Sequence, residues 1–513
     1  MGRPARDAPR SAPAPLRAAA LLVAALCTLP LVVVVVGAAD AGAAQVAQVL
    51  WRPRVAELLA NSTALVVLTV AVTTAVGVGA AWLVERTTLA AAGFWRVALV
   101  CPLAVPAFVN SYAWISVWPQ LEGLAGAVVV TSLSYFPFVF LPVSAVLRGL
   151  DPGLEDTARA LGLGPWRAFG RAVLPQLRPA VLGGMLLVAL HLLSEFGVLA
   201  MLRFPTFTTA ILEQYQVAFN STAGSLLACL LMTIALGLLT AELLLRGTAR
   251  HARVARGSAR RQVLAPLGRT APLAVAALAA LTLLSLGVPA VSLARWLLAG
   301  GADAEAASLA RTLWGTVRLG LVAALLATVA AFPIAWLVAR SRTWLAVAAE
   351  RAIYVASSLP GVVVALALVT LAVRFARPLY QTSVVLVIAY TVLFLPRATV
   401  AIRAAIAHAP PELAETARSL GDGPLRTFVR VQLPLTLRGV LAGFALVFIA
   451  VATELTATLL LAPTGTETLA TAFWSASESL DYAGAAPYAA AMVLVSAPVT
   501  YLLLRRGEEE QLP

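Results

Sequence analysis

Long apolar runs follow one another along nearly the whole chain, separated by short stretches that hold most of the charge. A helix rising about 1.5 Å per residue needs about 20 apolar residues to cross about 30 Å of hydrocarbon. Twelve runs of that kind are present, near residues 17–37, 58–84, 95–117, 124–147, 179–202, 222–245, 271–291, 312–339, 352–373, 381–402, 437–461 and 485–504. None alternates as a membrane β-strand does, and backbone groups in lipid must be bonded within their own segment. The pattern predicts an all-α polytopic membrane protein with about twelve transmembrane helices.

Composition agrees: the 513 residues are 61% hydrophobic and 12% charged, with a mean hydropathy of +0.90, outside the range of an ordinary soluble domain. The net charge of +13 comes from arginine, because the chain has no lysine. In a membrane protein the placement of arginines says more than their sum, since positive loops stay in the cytoplasm; lipid is the implied partner and nucleic acid is not. Arg3, Arg6, Arg10 and Arg17 precede the first run, and the linker at 246–269 carries a second cluster. Both are expected on the cytoplasmic side of a bacterial cytoplasmic (inner) membrane, as are both chain termini. The run at 17–37 can also be read as a cleavable signal peptide; its counterpart at 271–291 favours a retained helix. Cys27, Cys101 and Cys229 lie in or beside apolar runs, as small packing residues do, so neither a disulfide frame nor a cysteine metal site is expected.

Self-similarity sets the architecture. "AAWLVERT" at 80–87 answers "IAWLVARS" at 334–341, and Trp82/Trp336, Pro106/Pro360 and Pro142/Pro396 are each 254 residues apart. Further on, Asp156/Glu415, Pro175/Pro434 and Glu195/Glu454 are 259 apart, which places a five-residue insertion in the second half. Two parallel six-helix repeats follow, related by an axis along the membrane normal, with a shared interface suited to a translocation path.

The most distinctive repeated text is polar: "DTARALGLGPWRAFGRAVLP" at 156–175 and "ETARSLGDGPLRTFVRVQLP" at 415–434. Asp151-Pro152 reads as a helix start, Gly162 as the left-handed residue that ends that helix, and Gly164-Pro165 as a turn into a second short helix. Pro175 is expected to stop the second helix at the membrane, and Pro411, Gly421, Gly423-Pro424 and Pro434 repeat the plan. A short helix between glycine-proline hinges, small at Ala158 and Ala417 and apolar at Leu161 and Leu420, suits docking into a groove on another protein. The alternative is an interfacial connector, which the duplication makes less natural.

These passages resemble the signature E-A-A-x-x-x-G, then nine intervening residues and I-x-L-P, of the membrane subunits of binding-protein-dependent ABC importers. Glu415, Ala417, Gly421, Leu433 and Pro434 match it, with Thr416 and Val431 substituted; the first copy keeps Ala158, Gly162, Leu174 and Pro175 but has Asp156, Thr157 and Ala172. The resemblance implies a type I importer permease fold in which each loop is a coupling helix gripped by a separate ATPase, so that ATP binds the partner and this chain holds no cofactor. It also implies an ATPase in two copies, a solute-binding protein outside, and the fused layout of ferric-iron and thiamine permeases. The corresponding organisation is 1–57 (N-terminus, first helix, outer loop), 58–245 (first permease domain), 246–309 (linker, seventh helix, outer loop), 310–505 (second permease domain) and 506–513 (tail).

Glu195 and Glu454, beside Ser194 and Thr453, are costly in apolar spans, and two readings stay open: lining of a path, or hydrogen bonding to a neighbouring helix end. Pro102, Pro106 and Pro360-Gly361 are expected to break or kink their helices along that path, and His191 reads as a packing residue. The stretches at 203–215 and 468–479 resemble outer loops that meet the binding protein. A Walker A loop needs lysine, so this chain supplies no ATPase site. A gradient-driven secondary transporter is the alternative reading. No catalytic constellation supports an enzyme: His191, His251 and His408 are scattered and no metal-ligand cluster is evident.

Overall fold

The computed structural model describes residues 14–150, 153–218, 220–246, 264–300, 306–341, 343–357 and 359–509. Regular structure there is helical; the single β-bridge, Thr87 to Ala265, ties the end of the central linker to the end of helix Pro53–Arg86. Arg3, Arg6, Arg10, Asp151-Pro152 and most of the linker's arginines lie outside the described residues.

Nine helices among the described residues are long and apolar enough to cross a membrane: Ala14–Ala39, Pro53–Arg86, Gly123–Gly149, Phe169–Ser194, Thr222–Glu242, Gly268–Ala299, Ala306–Arg340, Ser383–His408 and Phe428–Ala452. Two further runs are bent pairs: Ala92–Ala104 with Ala107–Val117 at 91°, and Trp344–Ala356 with Gly361–Phe375 at 102°. The twelfth run is the shorter apolar helix Tyr482–Ala497.

Proline sets both bends. Pro106 (φ −55°, ψ 140°) and Pro360 (φ −59°, ψ 144°) hold the same extended conformation just before a helix begins, and neither has an N–H to continue the preceding turn. The runs at 179–202 and 437–461 are shorter as helices than their hydropathy suggests. They stop at Ser194 and Ala452, and the short helices Gly197–Met201 and Thr456–Leu461 follow. The carboxylates of Glu195 and Glu454 lie in these breaks.

The helices form two compact units that do not follow chain order. One draws on Met1–Val46, Asn220–Met232 and Ala302–Ala476. In it, Ser383–His408 packs between Ala306–Arg340 and Leu433–Ala452, and Ala14–Ala39 packs on Ala306–Arg340, Trp344–Ser357 and Gly361–Phe375. Gly443 permits one of these close approaches, since a Cβ there would sit 3.2 Å from Ala398 Cα.

The other unit draws on Ala47–Phe219, Thr233–Gly301 and Ser477–Pro513. Pro53–Arg86 packs there on Pro137–Gly149 and Leu174–Ser194, while Val288–Ala299 packs on Ala107–Val117 and Tyr482–Glu509. Tyr112 donates to the Tyr482 carbonyl at 2.5 Å, the Tyr482 ring stacks on Trp296 at 5.4 Å, and Ser116 meets Ser292 at 2.7 Å. Gly184, 259 residues before Gly443, plays the same part here: a Cβ on it would lie 2.9 Å from Val139 Cα.

Candidate functional site

The two polar passages fold alike. Gly153–Ala160 and Pro411–Ser419 are short helices, each ended by a glycine in the left-handed region, Gly162 at φ +86° and Gly421 at φ +93°. The closing bonds are those of a Schellman cap: Gly162 N–H to Arg159 C=O (2.9 Å) and Leu163 N–H to Ala158 C=O (3.2 Å). In the second copy Gly421 N–H reaches Arg418 C=O and Asp422 N–H reaches Ala417 C=O, both at 3.0 Å. The small motif residue therefore occupies the cap position whose carbonyl closes the loop.

Burial divides the second helix cleanly. Ala414 and Ala417, one turn apart, are tucked against the protein, whereas Glu415 is exposed and Leu420 is 83% exposed. In the first copy Ala158 is half-buried and Leu161 is 78% exposed; Asp156 lies on the helix, and its side chain is outside the described set. Each short helix packs on a π-turn that opens the next span, Phe169–Val173 or Phe428–Gln432. The two ends of each repeated passage thus meet in space.

The expectation for Pro175 and Pro434 is corrected by that turn. The chain stays helical from Pro165 to Ser194 and from Pro424 to Ala452. In the π-turn the N–H of Leu174 bonds Phe169 C=O and that of Leu433 bonds Phe428 C=O, five residues back. The widened turn leaves the following proline in the first turn of a new α-segment, where its missing donor costs nothing. Leu174, Pro175 and Pro434 are exposed, and Leu433 is half-buried.

The residues that anchor the first loop were not singled out in the sequence. Glu155, beside Asp156, is buried and paired with buried Arg86 at the end of helix Pro53–Arg86, and it also accepts Arg159 at 2.7 Å. The matched position in the second loop is Ala414, and Arg340, counterpart of Arg86, donates instead to the Ala409 carbonyl at 2.9 Å. A second network lies nearby: Glu85 accepts Arg96 (2.9 and 3.0 Å) and Ser144 (2.6 Å), with Arg148 at 3.6 Å. In the other half the signs are exchanged, since Glu350, 254 residues after Arg96, pairs with Arg403. The only sequence signal was the arginine shared by "LVERT" and "LVARS".

Within the apolar region, Glu195 Oε1 accepts the N–H of Val198 (3.1 Å) and Glu454 Oε1 that of Ala457 (2.9 Å), so each carboxylate satisfies the start of the short helix after the break. That is the helix-end reading of these glutamates. Their other surroundings differ: Tyr135 donates its hydroxyl to Glu195, whereas Arg397 is the electrostatic neighbour of Glu454. Ser194 ends the first long helix, and Thr453 donates back to Ile449 C=O at 3.0 Å. His191 packs against Phe138 with ring centroids 4.5 Å apart and the planes tilted by 39°. Arg397, a lone charge in the run at 381–402, is the path candidate that the sequence reading passed over.

A polytopic helical chain built twice over, with matched polar loops, has the make-up of a transport permease. Residues 74–244 and 323–505 each match the family described as binding-protein-dependent transport system inner membrane component, and the chain belongs to that family as a fused, two-permease member. It is 36% identical over 500 residues, 96% of its own length and 99% of the relative's, to the Fe(3+)-transport system permease protein FbpB 2 of Haemophilus influenzae. It is 27% identical over 31% of its length to the probable sulfate transport system permease protein cysT of Prototheca wickerhamii, covering 72% of that protein. To the molybdenum transport system permease protein ModB of Escherichia coli it is 29% identical over 24% of its length, covering 60% of that protein. The chain is a multi-pass membrane permease of an ABC importer, a transport subunit rather than an enzyme.

Proposed function

We propose that this permease carries ferric iron across the bacterial inner membrane and is driven by a separate ATPase that grips the loops around Asp156–Pro175 and Glu415–Pro434. The observation that carries the cargo is the end-to-end likeness to an Fe(3+)-transport permease; the sulfate and molybdenum relatives match only portions of the chain. The ATPase role rests on the paired Schellman-capped helices, each presenting an exposed leucine, beyond buried Ala417 in the second and half-buried Ala158 in the first. Two such helices call for two ATPase copies, most simply a homodimer, and a solute-binding protein delivers cargo from outside. The arginine-rich flanks support a cytoplasmic position for both termini, on the same side as the loops. Glu195, Glu454, Ser194, Thr453, Pro106 and Pro360 stand at helix breaks within the apolar spans, where a path is most readily formed.

Reconstitution tests this. Proteoliposomes holding the permease, its ATPase and its binding protein should take up radioactive ferric iron only with ATP, and omission of the ATPase should abolish uptake. Ion-gradient-driven uptake by the permease alone would establish the secondary-transporter reading instead.

A further inference from the structure

The least explained charge in the molecule is Arg397. It sits near the middle of helix Ser383–His408, where ionisable residues are costly and are turned toward protein or water. Its neighbours Pro396 and Ala398 are buried, yet Arg397 itself is exposed. The guanidinium lies over the Phe394 ring at 5.2 Å. Among the described residues no side chain or carbonyl hydrogen-bonds it or ion-pairs with it at close range; Glu454 acts on it through space. The repeat shows that the fold does not require this charge, because the position 254 residues earlier is Val143, which is fully buried. The glutamate of that half is answered by the neutral hydroxyl of Tyr135.

A guanidinium is a planar fork of five donors that fits an oxyanion or carboxylate in bidentate fashion. Arg397 keeps that fork open in a membrane span, beside the Phe394 ring and within the field of Glu454, whose carboxylate accepts the Ala457 N–H. We propose that Arg397 is an anion-accepting station on the transport path, so that cargo passes as an anionic or anion-wrapped species and a bare cation is turned away. This rests on the importer reading above, and in the ferric case it means that the metal crosses with an oxyanion or carboxylate ligand still attached. Glu454 competes with the passing anion for the guanidinium and so keeps it from being held too tightly.

The test uses the complete importer in proteoliposomes, in a background with Cys27, Cys101 and Cys229 replaced by Ala, with ferric citrate as one probe and sulfate as the other. Arg397→Cys should lower uptake about tenfold while leaving co-purification with the ATPase unchanged. Attachment of an aminoethyl group, a cation that keeps N–H donors, to the new thiol should restore at least about a third of the lost uptake, and a sulfonate-ethyl group of similar size should restore none. Equal rescue by both reagents, or wild-type uptake in unmodified Arg397→Cys, overturns the proposal. Should Arg397→Cys not assemble, Arg397→Lys and Arg397→Gln decide together: the lysine keeps at least about a third of the uptake and the glutamine loses about tenfold, and equal uptake by the two with normal assembly overturns the proposal. Sulfate uptake without ferric citrate uptake, with the same reagent dependence, would remove the iron assignment and leave the anion station standing.

Discussion

Two adjacent acids show how far a single residue can be read from its type. Asp156 attracted notice as the acid of the repeated passage, but Glu155 is the one that the fold buries against Arg86. Sequence cannot separate them, because adjacent helical residues point about 100° apart and only the packing of the helix decides which faces inward. Removing one member of a buried pair strands the other charge. Glu155→Ala is therefore expected to destabilise the protein by about 3–5 kcal/mol, read as a lowered Tm in detergent, whereas the double change Arg86→Met with Glu155→Leu recovers most of the loss. Equal melting of the single and double variants would show that the pair does not hold the loop. Glu195 and Glu454 were legible as costly residues at matched positions; that each caps a short helix became visible only with the breaks in place.

At the scale of the element, the glycine caps were legible because a left-handed residue is a local demand that glycine alone meets cheaply. The π-turns were not. They depend on where the preceding short helix lands, and proline before a span reads as a stop unless the widened turn is known. The proposed docking role gives a direct expectation for the second loop. Gly421→Val, which forces a β-branched residue to φ +93°, and Glu415→Lys, which reverses an exposed charge, should each weaken co-purification of the ATPase about tenfold and abolish transport, with membrane insertion normal. Undiminished ATPase binding in both variants would remove the docking role from this helix.

For the whole molecule, the chain's two halves are not its two packing units. The first helix, Ala14–Ala39, packs with helices of the second repeat and lies beside Asn220–Met232, while Gly268–Ala299 packs in the unit that holds the first repeat. A Cβ built on Gly37 would lie 3.8 Å from Ser225 Cβ, inside the range that a disulfide requires. With the three native cysteines replaced, Gly37→Cys with Ser225→Cys should oxidise to a linked peptide pair detectable by mass spectrometry. Absence of that pair under conditions that oxidise exposed thiols would contradict the packing of the first helix.

Hydropathy, repeat spacing and backbone sterics are local quantities, so the sequence by itself determined the helical membrane class, the duplication, the positions of the twelve apolar runs and the glycine-ended loops. Pairing across tens or hundreds of residues is decided by which surfaces fit once helices exist. Only the tertiary structure therefore assigned Glu155 to Arg86, exchanged the first and seventh helices between units, turned Pro175 and Pro434 from stops into first-turn residues, and left the Arg397 guanidinium open beside Glu454.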